Sequence, residues 1–275
     1  YLWILPYFRE HFIADMTIQW KVNGSLVGAI NQIIYGVAFY LMEKISSDEK
    51  SSYQKLSFAM YFLGMFNLMF NWGHHIYLLP TEKIIHYIAY AVSMTEWILF
   101  IRIFYKWNKQ IKENKQHYYF FPYRFLMAAD YWVIINLGMA LLMSIPAINL
   151  YTHGTHITVA HAMGTTIGIN TMIILAASFY FIKPTFLSIK TLKLNSLFFW
   201  STQLILLTFL ISLIGMGIQR ALWQVGLKKS TFTQMTQASS LWTLLFIILG
   251  TLLMIFMGYF IIYLILKKLK KNQVT

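Results

Sequence analysis

Long runs of apolar residues, separated by short polar connections, follow one another along the whole chain. Seven runs are long enough to cross a bilayer as helices, because about 20 helical residues span the hydrocarbon core. None shows the apolar-polar alternation of a membrane β-strand. The pattern predicts an all-α integral membrane protein, a bundle of seven transmembrane helices within residues 21–271. The predicted helices, numbered one to seven, cover about 22–42, 56–79, 84–105, 124–147, 157–182, 195–219 and 240–266.

The first twenty residues do not fit this pattern, because aromatic and charged side chains are mixed there. We interpret residues 1–20 either as an extracytoplasmic, interfacial helix or as the end of a further membrane span. The sequence starts at Tyr1 without a methionine and shows no signal peptide. It is therefore expected to be a fragment or one half of a larger protein.

Composition agrees with a membrane protein, since 58% of the 275 residues are hydrophobic and only 11% are charged. The chain contains no cysteine, which excludes disulfides, thiolate metal sites and cysteine nucleophiles. Any metal must be bound by histidine, methionine or oxygen atoms. The formal net charge of +13 does not indicate nucleic-acid binding, because the lysines cluster beside apolar runs as membrane anchors do.

The distribution of basic residues between the loops predicts the orientation. Six basic residues fall on one side of the predicted bundle and fourteen on the other, which is then cytoplasmic. The chain is thus expected to be a multi-pass membrane protein with a cytoplasmic carboxyl terminus. The cytoplasmic set is Lys44, Lys50, Lys55, Lys106, Lys109, Lys112, Lys115, Lys183, Lys190, Lys193, Lys267, Lys268, Lys270 and Lys271, and the opposite set is Arg9, Lys21, Lys83, Arg220, Lys228 and Lys229.

Polar residues from three predicted helices fall at one depth, near the outer surface. Asn23 starts helix one, the adjacent pair His74–His75 ends helix two, and His161 and Met163 lie near the outer end of helix five. Polar groups that converge from several helices are how bundles build metal sites. Adjacent residues of an α-helix differ by about 100°, so both histidines of the pair reach one metal only if the helix end is distorted.

His161 and Met163 are two residues apart and point in nearly opposite directions, about 200° around a helix. Each can then bind a different flat cofactor, and two haems on either side of one helix meet this geometry. Imidazole also suits iron, copper or zinc, so the His74–His75 pair with a second metal next to the haem of His161 makes a binuclear centre.

The stretches "GHHIYLLP" and "YTHGTH…AH" resemble the second half of the large subunit of bacterial nitric oxide reductases, in the haem-copper oxidase superfamily. The resemblance covers essentially the whole chain and implies a location in the bacterial inner membrane. It implies half of a bundle of twelve or more helices, the preceding helices being on the same or a separate chain. By this resemblance His74 and His75 bind non-haem iron, His161 binds a high-spin haem b, and Glu96 lies near the binuclear centre. His153 and His156 either contact haem propionates or cap the helix.

The sequence departs from the reductases at an iron ligand, at two proton-relaying glutamates and at a haem ligand. Asn23 replaces the third histidine ligand of iron, and Val27 and Asn31 replace two glutamates. Met163 replaces the histidine that binds a second, low-spin haem. These losses resemble the proposed nitric oxide dismutases, which convert two NO into N2 and O2. Reduction of two NO to N2O and water consumes two protons and two electrons, whereas dismutation consumes neither, so a dismutase needs no carboxylate relay.

Other interpretations stay open at this stage. Asn23 is also a plausible helix cap, the histidines are also compatible with hydrogen-bonded core residues, and Arg124 and Asp130 are expected to be interfacial charges without a catalytic role. A quinol-dependent nitric oxide reductase is the main alternative function. A catalytically silent haem-binding subunit is a further one, and a transporter with a proton pathway would bind no haem.

Overall fold

The computed structural model describes residues 2–46, 54–76, 79–182 and 189–272. These residues form helices and short connections, and no β-strand occurs among them. Two 3-10 helices cover Leu2–Ile4 and Asn71–Ile76, and a π-helix covers Gly164–Thr171. The α-helices are α1 Pro6–Glu10, α2 Phe12–Ser46, α3 Gln54–Phe70, α4 Lys83–Gln110, α5 Glu113–Tyr118, α6 Phe120–Met143, α7 Pro146–Thr152, α8 His156–Met163, α9 Met172–Ile182, α10 Ile189–Gln224, α11 Phe232–Ala238 and α12 Ser240–Asn272.

Each of the seven predicted stretches is mainly helical where the structure describes it, but helix four ends at Met143, and Ser144 and Ile145 separate it from α7. Five helices of the described residues are long and apolar enough to cross a membrane. Helices α3 and α4 are outside that set, so the count of seven transmembrane helices stays a prediction for these two. The five candidate spans are Phe12–Ser46, Phe120–Met143, His156–Ile182, Thr191–Gln224 and Ser240–Leu269.

Helix α2 begins ten residues before the predicted start of helix one. The backbone of His11 is extended, with φ −106° and ψ 103°, and separates α1 from α2. Asp15 in the first turn of α2 favours the start of a helix electrostatically. Residues 12–20 therefore continue into the predicted span as one helix, and the 35 residues of α2 reach about 50 Å.

The chain divides into two compact units. Unit one contains Tyr1–Tyr118 and Val133–Leu150, and unit two contains Tyr119–Trp132 and Tyr151–Thr275. In unit one, the fully buried indole of Trp107 on α4 donates a hydrogen bond from Nε1 to the carbonyl oxygen of Met42 on α2, at 2.9 Å. This bond also satisfies the indole N–H in an apolar core, where an unpaired donor would be costly.

The core of unit two is aromatic. The ring of Phe125 on α6 lies 5.5 Å from Phe179 on α9, 5.1 Å from Phe199 on α10 and 5.3 Å from Phe260 on α12, measured between centroids. All four side chains are buried. Large rings in edge and stacked contacts bury much apolar surface and favour defined geometries. The cluster therefore fixes these four helices together, including the helical run that carries His161.

Candidate functional site

The His74–His75 pair lies in the 3-10 helix Asn71–Ile76, directly after α3. The chain leaves α-helical geometry one turn before the pair. This helix end therefore has the distortion that both histidines need to reach one metal. The backbone of both histidines is described, whereas the side chain of His74 lies outside the described residues.

Gly73 brings this 3-10 helix close to α4. A Cβ atom at position 73 would lie 2.7 Å from Cβ of Ala89 and 3.3 Å from the carbonyl oxygen of Ile85. Glycine is thus required here by space, because the segment before the histidine pair rests on the backbone of α4.

The imidazole of His75 stacks on the indole of Trp20 on α2. The ring centroids are 4.3 Å apart and the planes differ by 5°. Stacking contacts the face of the imidazole and fixes its plane, and metals bind histidine nitrogens within that plane. Trp20 therefore determines the direction in which the half-buried His75 offers its ring edge.

The face of α2 that carries Trp20 continues through Asn23, Val27 and Asn31, which follow it by three, seven and eleven residues. Asn23 is exposed and lies well inside α2, which begins at Phe12. The alternative interpretation of Asn23 as a helix cap is therefore wrong. Asn31 is half-buried. Asn23 also borders an open cavity of about 500 Å³ lined by Ile18, Gln19, Val22, Asn23 and Leu26.

No group of three or more histidine, cysteine or acidic side chains close enough to hold a metal ion occurs among the side chains that the structure describes. This set leaves out the side chains of His74 and Glu96, and Glu96 is placed only by its backbone in the middle of α4. Of the three predicted iron ligands, His75 and Asn23 have described side chains, and imidazole suits iron. The iron site of His74, His75 and Asn23 accordingly stays a prediction. The chemistry of its donor atoms fits iron.

In unit two, α8 starts at His156 and is capped by a threonine. The hydroxyl of Thr155 accepts a hydrogen bond from the backbone N–H of Ile157 at 3.2 Å, and Gly154 takes a positive φ of 73° in the preceding turn. The suggestion that His153 or His156 caps this helix is therefore wrong. His156 is exposed, whereas burial lowers the pKa of the half-buried His153 and favours its neutral imidazole.

His161 and Met163 both lie in the α-helical part of this run and are half-buried. Their side chains therefore leave α8 on nearly opposite faces, as predicted. The π-helix Gly164–Thr171 follows immediately. A π-helix has about 4.4 residues per turn instead of 3.6, so eight π residues turn the chain roughly 145° less than eight α residues do. The π-helix thus determines which directions His161 and Met163 take relative to α9.

Three side chains hold the π-helix in place within unit two. Gly168 of the π-helix touches the indole of Trp132 on α6, whose Nε1 donates a hydrogen bond to Oε1 of Gln203 on α10 at 2.7 Å. Nε2 of Gln203 donates to Sδ of Met172 at 3.5 Å, and Met172 is the first residue of α9. Contacts at the middle and at the end of the π-helix fix its position against two neighbouring helices.

We expect Gly168→Ala to destabilise unit two by about 1–3 kcal/mol, the usual cost of overpacking. The new Cβ would lie 2.7 Å from Cγ of Trp132 and 3.0 Å from its Cβ, so the flexible end of the side chain cannot relieve the clash. Thermal unfolding in detergent measures the loss. Gly36→Ala is the control, because nothing lies within 4 Å of its added Cβ. In a Trp132→Leu background the cost of Gly168→Ala should shrink, and an equal cost in both backgrounds would contradict the contact.

Asp130 is buried within α6, whereas the sequence predicts an interfacial charge at this position. It is the eleventh residue of α6, its side chain is only 9% exposed, and Oδ1 has no hydrogen-bond partner among the described residues. Arg124 lies near the start of the same helix, where an interfacial charge is expected.

Comparison with known proteins places the chain in a family. The family model for "Cytochrome C and Quinol oxidase polypeptide I" matches residues 6–252, which is most of the chain. The comparison with curated proteins gave no match. The matched range includes the two histidine-bearing segments and the helices α2, α4, α6 and α10 that position them. This chain therefore belongs to the cytochrome c and quinol oxidase polypeptide I family of membrane-embedded haem-copper oxidoreductases.

Proposed function

We propose that this membrane oxidoreductase acts on nitric oxide at a centre of haem b and non-haem iron, and that it dismutates two NO into N2 and O2. In this proposal His161 binds the high-spin haem, Met163 binds a second, low-spin haem, and His74, His75 and Asn23 bind the iron. The bound haem and iron supply the redox chemistry toward NO. The chain supplies the ligands, their orientation through Trp20 and the π-helix, and the polarity around them.

The observation that carries the choice of dismutation is the composition of one face of α2. Trp20 stacks on His75, and Asn23, Val27 and Asn31 follow Trp20 along this face of α2, which supports a position of the face beside the histidine pair. An amide, an alkyl group and a second amide cannot exchange protons at neutral pH. Conversion of two NO into N2 and O2 consumes no proton or electron, whereas reduction to N2O and water consumes two of each. The composition of this face supports the reaction that needs no proton relay.

Asn23 on this face would differ from a histidine as an iron ligand. A neutral amide oxygen is a weaker ligand than imidazole, and it leaves the iron more electrophilic toward NO. Glu96 is proposed to lie near the centre, and His153 and His156 near the haem propionates. The proposal needs the lipid bilayer and the preceding helices, and it needs no electron donor, whereas a reductase would need a donor such as a quinol.

Isotopically labelled NO tests the proposal. The complete enzyme should release labelled N2 and O2 in equal amounts without reductant, as measured by mass spectrometry of the gas phase. Asn23→His should lower the O2 yield by changing the ligands of the iron, and it should not create an efficient reductase because Val27 and Asn31 still relay no protons.

Asn108→His serves as a matched control, since it adds an imidazole at an exposed amide of α4 and should leave the O2 yield unchanged. Release of N2O alone, and only with reductant, would establish the nitric oxide reductase instead. A haem-loaded protein that consumes no NO under either condition would be the silent haem-binding subunit.

A further inference from the structure

The guanidinium of Arg124 is held between two helices of unit two. Its Nη1 donates a hydrogen bond to Oγ of Ser196 on α10 at 3.2 Å, and its Cζ lies 3.9 Å from the centroid of the Phe120 ring on α6. The side chain is half-buried. A hydroxyl and an aromatic face thus fix the orientation of the group, while most of its five N–H donors are not used by these contacts.

This fixed charge has no acidic partner among the described residues, since Ser196 and Phe120 are its side-chain contacts there. The chain as a whole has 22 lysines and arginines against nine acidic residues, so few carboxylates exist to neutralise it. Arginine remains protonated at all physiological pH values. A half-buried cation beside neutral groups is therefore suited to an anion from outside the chain.

A second cation lies on the same side of α10. Lys193 precedes Ser196 by three residues, which is about one helical turn, and its side chain is exposed. Arg124 and Lys193 therefore flank Ser196 at the ends of α6 and α10 that are next to each other. Tyr119 and Tyr180 stack at this end of the unit, with centroids 5.5 Å apart, and tyrosines are enriched where membrane and water meet.

The surface below Lys193 is apolar. Leu197, Trp200 and Leu204 follow Lys193 by four, seven and eleven residues on one face of α10 and are 62%, 61% and 63% exposed. A cationic site at the end of a candidate span, continued by an exposed apolar strip along the helix, matches a molecule with an anionic head and hydrocarbon tails. Free phosphate would use only the cationic part.

We infer that Arg124, Ser196 and Lys193 form a binding site for the phosphodiester of an anionic phospholipid, with an acyl chain along Leu197, Trp200 and Leu204. The planar guanidinium donates to two phosphate oxygens in a fork, and the lysine adds a point charge. Basic pockets between transmembrane helices bind lipid headgroups in this manner. The site is independent of the reaction proposed above.

Native mass spectrometry of the purified enzyme, titrated with phosphatidylglycerol or with phosphatidylcholine of the same acyl chains, tests the site. We expect one phosphatidylglycerol to bind more tightly than the others and more tightly than phosphatidylcholine. Arg124→Gln should weaken this lipid about tenfold, and Lys193→Gln about fivefold. Arg124→Lys should recover only part of the loss because it lacks the fork.

Lys228→Gln is the matched control, because Lys228 is an exposed lysine whose Nζ contacts Gln219 near the other end of α10. Ser196→Ala keeps both charges but releases the guanidinium, and with Lys193→Gln it tests the site if Arg124→Gln does not fold. Equal weakening by Lys228→Gln, equal binding of the two lipids, or unchanged binding in Ser196→Ala and Lys193→Gln would overturn the inference. Displacement of the lipid by millimolar inorganic phosphate would show a free-phosphate site instead.

Discussion

Replacing His161 with alanine is expected to remove the high-spin haem from the enzyme. His161 is the only histidine of α8 whose side chain is half-buried, since His156 at the start of that helix is exposed. Without the imidazole no other nitrogen donor of α8 is buried at that position, so the proposed haem would lose its protein ligand. The Soret absorption and the haem content per protein should fall by the share of one haem.

His117→Ala is the control, since it removes an imidazole at an exposed position of α5 that has no part in the proposed site. It should keep full haem content. A spectrum of His161→Ala identical to that of the natural sequence would contradict the assignment of His161, whereas a natural protein without haem would contradict the proposed function as a whole.

Replacing His75 with alanine is expected to remove the non-haem iron and abolish turnover while haem remains bound. The imidazole of His75 is oriented by its stack on Trp20 of α2. His74→Ala should have the same effect. Iron analysis of the purified variants, together with their haem spectra, measures the two metals separately.

Trp20→Leu tests the orientation of the His75 ring separately from its ability to bind iron. It keeps the imidazole of His75 but removes the ring that fixes its plane, so iron affinity should fall about tenfold, in the range found for groups that support a metal ligand. His11→Ala is the control, because the exposed His11 contacts the backbone carbonyl and the ring of Tyr7 on α1, away from the histidine pair. Full iron content in both His75→Ala and His74→Ala would exclude the pair as ligands.

The positions of the long helices were predictable because burial in hydrocarbon requires continuous apolar runs, whereas their starts were not. Asp15 and Lys21 interrupt the apolar run but not the helix, since both side chains are compatible with helical backbone. Hydropathy indicates which residues lie in the hydrocarbon of the bilayer. It does not indicate at which residue the backbone hydrogen bonds of a helix begin. The same error produced the interpretation of Asn23 as a helix cap, which fails because α2 starts eleven residues earlier.

The candidate site was predictable as far as residue chemistry determines it. The histidines and Met163 stand out because polar or metal-binding groups are rare in such segments, and the need for a distorted helix end follows from their adjacency. The roles of Trp20, Gly73 and Gln203 were not predictable, because they depend on contacts between distant parts of the chain. The π-helix was not predictable because hydropathy indicates how apolar a segment is and not how many residues it has per turn.

The close approach at Gly73 has a consequence for how this protein can change over generations. The spacing between the histidine-bearing 3-10 helix and α4, the helix of Glu96, depends on the absence of a single methyl group at position 73. A glycine codon becomes an alanine codon by one nucleotide change. A lineage can therefore alter the distance between the histidine pair and a carboxylate-bearing helix in one mutational step, without replacing any of the residues that would bind iron.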